Sequence, residues 1–259
     1  MAIELSNITF TEQNDVVFAP GEEIINNGFA NTLAGNDIII GTGTTYGIRN
    51  NAIFDTGNGD ATLLGTGSTY GIYNTGEITT GNGDTTIIGT GNTYGIYNTG
   101  EITTGNGDTT IISTSVIYNG GIIKTGNGDD FILAGGGVDS TGTEYGIYNN
   151  GGIIDTGNGD DFILPNAGFK SHWTGSGIIS LGGGEDYIKG FGSGDFYGGN
   201  DEDTLELTPG IYTVGIENTK VNFAKDNQLM RTSEFETLMA GGTTYDFTSL
   251  TEGQIITVA

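Results

Sequence analysis

Cysteine is absent from this 259-residue chain, histidine and tryptophan occur once each, and proline appears only 3 times. Without cysteine there can be no disulfide and no thiolate metal site, and a single histidine leaves zinc or copper without the ligands they favour. Positive charge is almost as scarce: 7 Lys and Arg stand against 32 Asp and Glu, a formal net charge of −25. Such a chain has no basic patch with which to grip nucleic acid or an anionic membrane, so its partners should be cationic, metal ions above all. No apolar run approaches the ~18 residues of a spanning helix. The opening "MAIELSNITFTEQNDVVFAP" has no basic segment leading into an apolar one, which predicts no cleaved secretory signal.

What the chain has in quantity is glycine, 49 residues, and they fall in register. "TGNGDATLLGTGSTYGIYNTGEIT" (56–79) is followed at once by "TGNGDTTIIGTGNTYGIYNTGEIT" (80–103). Equivalent segments start at Thr32, Thr56, Thr80, Thr104, Thr125 and Thr156, with a relative at Leu181, and the first three steps are each 24 residues. Each segment holds three short β-type runs, such as "TTIIG", "YGIYN" and "GEITT", and no helical periodicity. Three strands and three turns per repeat predict an all-β fold, a parallel β-helix with coils of about 24 residues.

Stacked coils would align equivalent residues at about 4.8 Å. Three inward columns follow: Ile39, Leu63, Ile87, Ile111, Ile132, Ile163; Phe54, Ile78, Ile102, Ile123, Ile153, Ile179; and Ile48, Ile72, Ile96, Ile117, Ile147. Tyr70, Tyr94 and Tyr145 should stack, with Tyr73, Tyr97, Tyr118 and Tyr148 beside them; self-pairing explains such a ladder better than sugar binding. The division expected is residues 1–31 as a first coil or cap, 32–207 as the solenoid, and 208–259 as a β-rich cap over its open end.

The chemistry-bearing motif is Gly-Asn-Gly-Asp at the head of each coil. Asp60, Asp84, Asp108, Asp129 and Asp160 would form a column, and like charges at ~4.8 Å repel by about 0.9 kcal/mol even in bulk water. A cation between the loops would relieve that. Glycine lets main-chain carbonyls turn toward the same point as the carboxylates, and such an all-oxygen set suits Ca²⁺.

"TGNGDDFIL" (125–133 and 156–164), "LGGGEDYIK" (181–189), "GGNDEDTLEL" (198–207) and "AGNDIIIG" (34–41) resemble the glycine-rich nonapeptide of the hemolysin-type calcium-binding (RTX) family. In that family the Asp at the sixth place binds Ca²⁺ with carbonyls of neighbouring coils, and the proteins leave bacteria by type I secretion. The resemblance implies ligands at Asp37, Asp129, Asp130, Asp160, Asp161, Glu185, Asp186, Asp201 and Asp203. Carbonyls would come from the loops of Gly126, Gly128, Gly157, Gly159, Gly182, Gly184 and Gly199. The sixth place is Ala61, Thr85 and Thr109 in the middle coils, so metal is expected least at Asp60, Asp84 and Asp108, where an Asn/Thr ladder should serve instead. One such loop per long coil also departs from the family's 18-residue coil.

The function expected is an exported calcium-binding solenoid with a structural, adhesive or surface-matrix role, self-association included, located outside the cell or on its surface. The tail "YDFTSLTEGQIITVA" is its candidate export signal. Two alternatives stand beside it. A polysaccharide lyase or epimerase would have to use the only basic cluster, Lys170, Ser171, His172 and Trp173, and the chain is not expected to be an enzyme. An ice-binding solenoid would use the Thr42, Thr66, Thr90 and Thr45, Thr69, Thr93 ladders.

Overall fold

A computed structural model describes residues 2–138, 144–165, 172–174 and 176–259. The chain winds as a parallel β-solenoid whose three faces are sheets of 11, 9 and 12 strands, here sheets 1, 2 and 3. In one coil Thr85–Thr90 lies in sheet 1, Tyr94–Asn98 in sheet 2 and Glu101–Thr103 in sheet 3. Each pairs in register with its equivalent one repeat away: Ile87 with Leu63 and Ile111, Ile96 with Ile72 and Ile117, Ile102 with Ile78 and Ile123.

The strands form because β-branched residues alternate with polar ones, and alternate side chains point to opposite faces. Ile87, Ile96 and Ile102 are completely buried, so each coil contributes three aliphatic side chains to one continuous core. Burying one such side chain is worth about 1.5–3 kcal/mol. The second expected column carries one error. Ile123 and Ile179 both pair with Ile154, which is fully buried, while Ile153 is only partly covered and pairs with Ile122 and Ile178. The preceding turn is one residue longer than its counterparts, and Gly151 takes it up at φ 72.

Each corner has its own device. Between sheets 1 and 2 the chain folds so tightly that a Cβ on Gly65 would strike the Gly71 carbonyl. Between sheets 2 and 3 the buried Asn26, Asn50, Asn74, Asn98, Asn119 and Asn149 form a ladder. Each Nδ2 donates to the next Oδ1 at 2.8–2.9 Å and also to a main-chain carbonyl, as Asn98 does to Ile122. The third corner, from sheet 3 back to sheet 1, is the Gly-Asn-Gly-Asp loop.

The tyrosines stack in two files, from which Tyr145 and Tyr148 both depart, Tyr148 meeting Tyr118 edge-on. Tyr46, Tyr70 and Tyr94 form the first and Tyr73, Tyr97 and Tyr118 the second, with centroids 4.6–5.8 Å apart. Val116 interrupts the first file after Tyr94, so Tyr145 stacks on Tyr148 instead. Ring faces are spent on neighbouring rings.

At the N-terminal end Leu5 and Phe10 are buried against the first full coil, Val16–Ala19, Glu23–Asn26 and Ala30–Asn31. At the other end Gly210–Glu217, Lys220–Lys225 and Gln228–Ser233 form an antiparallel meander, and the last of these pairs in parallel with Gly194–Asn200. Ile255–Val258 pairs with Gly210–Glu217. Tyr212, Val214, Phe223 and Ile256 close the core from above, the Tyr212 ring 5.0 Å from Phe191. Three of the few basic residues hold this cap: Lys225 donates to the Pro209 carbonyl at 2.9 Å, Lys220 lies over Tyr197, and Arg231 lies 4.0 Å from Asp195.

Candidate metal site

The loops from sheet 3 to sheet 1 place two columns of carboxylates side by side, with opposite fates. The outer column, Asp60, Asp84, Asp108, Asp129, Asp160 and Glu185, is solvent-exposed. Each Asp in it turns Oδ1 onto the main-chain N–H of the next member: Asp60 accepts from Asp84 at 3.0 Å, Asp84 from Asp108 at 3.1 Å, and Asp160 from Glu185 at 2.8 Å. Beside it the amides of Asn58, Asn82, Asn106, Asn127 and Asn158 form their own ladder, Asn82 donating to Asn58 at 3.1 Å. The repulsion expected of these carboxylates is thus offset by donated hydrogen bonds and by water.

The inner column is the sixth place. Asp130 shares the parity of Ile132, so its side chain turns inward with the core. Asp37, Asp130, Asp161, Asp186 and Asp203 are all at most 2 % exposed. Each Oδ1 accepts the N–H of its equivalent one coil earlier: Asp130 from Thr109 at 2.7 Å, Asp161 from Asp130 at 2.8 Å, Asp186 from Asp161 at 2.8 Å, Asp203 from Asp186 at 3.0 Å, and Asp37 from Asp15 at 2.8 Å. Each Oδ2 is buried with no hydrogen-bond partner. The Thr125 and Thr156 hydroxyls donate to the carbonyls of Thr156 and Leu181, yet they lie close enough to the Asp130 and Asp161 carboxyls to oppose part of the rise that burial causes.

Burial pushes the Asp130 carboxyl up to about 6 and that of Asp186 to about 6; Asp161 and Asp203 rise to about 7. Donated hydrogen bonds oppose the shift, and neighbouring carboxylates add to it. Metal-free and ionised, these groups are costly.

The loop backbone divides the same way. Gly35, Gly126, Gly128, Gly157, Gly159, Gly182, Gly184 and Gly199 all have φ between 97 and 132. Gly81, Gly83, Gly105 and Gly107, which head the coils with Thr85 and Thr109, are not left-handed. Gly57 and Gly59 are left-handed although Ala61 follows them. In both kinds of loop successive turns sit carbonyl to Cα along the stack: a Cβ on Gly81, Gly105, Gly157 or Gly182 would collide with the carbonyl of Gly57, Gly81, Gly126 or Gly157. In the loops that are not left-handed the inner place is filled by paired hydroxyls, Thr80 with Thr85 at 2.7 Å and Thr104 with Thr109 at 2.6 Å.

These residues fit a hard cation. Unpartnered carboxylate oxygens and main-chain carbonyls meet the all-oxygen preference of Ca²⁺. Among the described residues no three His, Cys, Asp or Glu converge on one point, so carbonyls would have to complete any shell. Asp201, expected as a ligand, is exposed at φ 81 on the loop before Asp203.

The sequence reading did not include Glu236, whose Oε2 accepts the Asp203 N–H at 2.9 Å and continues the inner column. Its signal is the register of "ETL" (236–238) on "DTL" (203–205). Of the basic cluster, Lys170 and Ser171 lie outside the described residues; His172–Thr174 is a strand of sheet 2 paired with Ile147 and Tyr148 on one side and Phe191 on the other. Among the described residues no helix is long and apolar enough to cross a membrane. No family model matches the chain, and no curated protein or solved structure shows significant similarity to it.

Proposed function

We propose that this chain is a calcium-stabilised β-solenoid that serves outside the cell as a structural or adhesive element, in the manner of the RTX proteins its loops resemble. The reading rests on one observation above the rest: consecutive coils bury an aspartate whose second oxygen has no partner. Asp130, Asp161, Asp186 and Asp203 would hold the ions, with carbonyls of the Gly126 to Gly199 loops, and Asp37 would supply a separate site near the N-terminus. The chemistry Ca²⁺ supplies is charge neutralisation between coils.

Export fits the same physics. Where calcium is scarce, ionised inner carboxylates oppose folding; where it is abundant, binding adds stability by mass action. A chain of this kind folds after it reaches a calcium-rich compartment.

The test is calcium titration of the chelated protein by calorimetry and circular dichroism, alongside a variant with Asp130, Asp161, Asp186 and Asp203 all replaced by Thr. Saturable binding by the parent that is largely lost in the variant, with coil structure retained, supports the reading. Equal binding by both proteins refutes it.

A further inference from the structure

Sheet 2 carries tyrosines on its outer face, where Tyr73, Tyr97 and Tyr118 are only partly covered. They occupy one register position in three successive coils, Tyr97 pairing with Tyr73 on one side and with Tyr118 on the other. Neighbouring ring planes are parallel within 7°, with centroids 5.0 Å apart for Tyr73–Tyr97 and 4.6 Å for Tyr97–Tyr118. Two parallel rings one coil step apart are nearly translations of each other. Each carbon ortho to the phenol oxygen therefore lies over its equivalent at about the centroid separation, 4.6 Å in the closer pair. That is within about 1 Å of van der Waals contact. The other file is more widely spaced, 5.1 Å for Tyr46–Tyr70 and 5.8 Å for Tyr70–Tyr94, and Val116 ends it.

The geometry points to Tyr97 and Tyr118 as an oxidative modification site, where a one-electron oxidant driven by peroxide joins the two rings into a dityrosine staple between consecutive coils. Each phenol gives one electron to the oxidant and its O–H proton to water. The two phenoxyl radicals couple through one ortho carbon of each ring, forming a C–C bond. The hydrogens on those carbons then move to the oxygens and restore both phenols. The pair has lost two electrons and two protons, which turn one hydrogen peroxide into two waters.

Several features direct the coupling to this pair. Stacking holds the reacting carbons together, so coupling inside the chain has the advantage of a high effective concentration. Asn150 Nδ2 donates to the Tyr118 phenol oxygen at 3.1 Å and holds that ring from the following turn. Burial, then the neighbouring phenols, raise the Tyr97 pKa above its ordinary value, so the ring stays a neutral phenol until it is oxidised. Edge contacts between the two files, at 5.1–5.8 Å, put every ring from Tyr46 to Tyr118 beside another. An unpaired electron generated on any of them reaches the closest pair by exchange. Two copies at −25 each repel, which disfavours coupling between chains. The chain has no cysteine and so no disulfide; a tyrosine link is a covalent brace still open to it. Such a link restricts the unfolded chain and adds stability that a chelator does not remove. Neither tyrosine is a proposed calcium ligand, so the staple and the calcium site stand or fall separately.

The test is oxidation of the dilute whole chain by a haem peroxidase and hydrogen peroxide, in calcium and in chelator, followed by isolation of the monomer. Expected in both buffers is a monomer with dityrosine fluorescence, a mass lower by two hydrogens, and a cross-link that maps to Tyr97 and Tyr118. Tyr97→Phe keeps a stacked ring without the phenol and should lose most of that signal. Tyr197→Phe, on sheet 3, should keep it. A monomer without dityrosine overturns the inference, as do links found only between copies. An undiminished yield from Tyr97→Phe, or a link mapped chiefly to Tyr46 and Tyr70, overturns it too. A link that forms in calcium and is lost in chelator upholds the staple and extends calcium dependence to the middle coils.

Discussion

Residues 80–124 and residues 125–207 wind on the same three sheets with the same aliphatic core, yet they fill one interior position differently. Thr85 and Thr109 pair their hydroxyls with the leading threonines of their own coils, and nothing is left unsatisfied there. Asp130, Asp161, Asp186 and Asp203 use one oxygen to tie coil to coil and leave the other buried and unpartnered. The loop backbone follows, left-handed at glycine in the acidic coils and not in the threonine ones. The solenoid path therefore does not require an ion. On the proposed reading the acidic coils carry a dependence on calcium that the middle coils show to be avoidable, since a buried charge without a partner is costly unless a ligand stabilises it.

The largest effect expected is one the two regions share. Asn98→Ala removes an amide that donates to Asn119 and Ile122 and accepts from Asn74, leaving buried groups unpaired. Thermal melts should show a loss of about 3 kcal/mol or more, the same in calcium and in chelator. A loss confined to calcium would mean that the ladder and the metal site are coupled.

Next comes a substitution whose sign should reverse. Asp161→Thr copies the middle coils, its hydroxyl facing Thr156 as Thr85 faces Thr80. With the carboxyl raised from 3.8 to about 7, removing it should stabilise the chelated protein at pH 8 by about 1–3 kcal/mol, the lost acceptor for the Asp130 N–H offsetting part of the gain. In saturating calcium the same change should destabilise, because a ligand is gone. Destabilisation of similar size in both conditions would show that Asp161 serves only as an acceptor for the Asp130 N–H.

The pH dependence follows from the same shifts. The folded-state values, about 6 to 7, lie above the ordinary 3.8, so the neutral carboxyls favour the fold fully below about pH 4. That contribution is lost as pH rises through 6 to 7. Chelated protein should melt lower at pH 8 than at pH 5, calcium should narrow the gap, and the fourfold Thr variant should flatten it. An equal slope in that variant would assign the dependence to the outer charges. The smallest effect belongs to the outer column: Asp84→Asn keeps an acceptor for the Asp108 N–H and relieves like charge, so denaturant melts should move by less than about 0.5 kcal/mol.

Much of this was legible in the sequence because stacked repeats turn periodicity directly into columns. Ile39 to Ile163 and Ile48 to Ile147 fall where their spacing puts them, and the slip at Ile153 arose from one extra turn residue that only the backbone at Gly151 reveals. The sixth-place aspartates were legible as residues but their state was not. Their parity with Ile132 and Ile163 points inward; the unpartnered second oxygen depends on where the Thr125 and Thr156 hydroxyls turn. The buried asparagine ladder reads in sequence as a row of turn residues, since asparagine is common at corners for local reasons. Glu236 was hidden because the meander at 210–225 separates it from the coil it joins.

The most direct test of the account is hydrogen exchange by mass spectrometry, in calcium and in chelator, on peptides from 80–124 and 125–207. Each coil contacts chiefly its neighbours, so loosening should stay close to the coils that lose their ion. The account predicts a large fall in amide protection across 125–207 on chelation and little change across 85–110. Equal protection of both segments in both conditions, or an equal fall in both, would contradict the assignment of calcium to the buried aspartates.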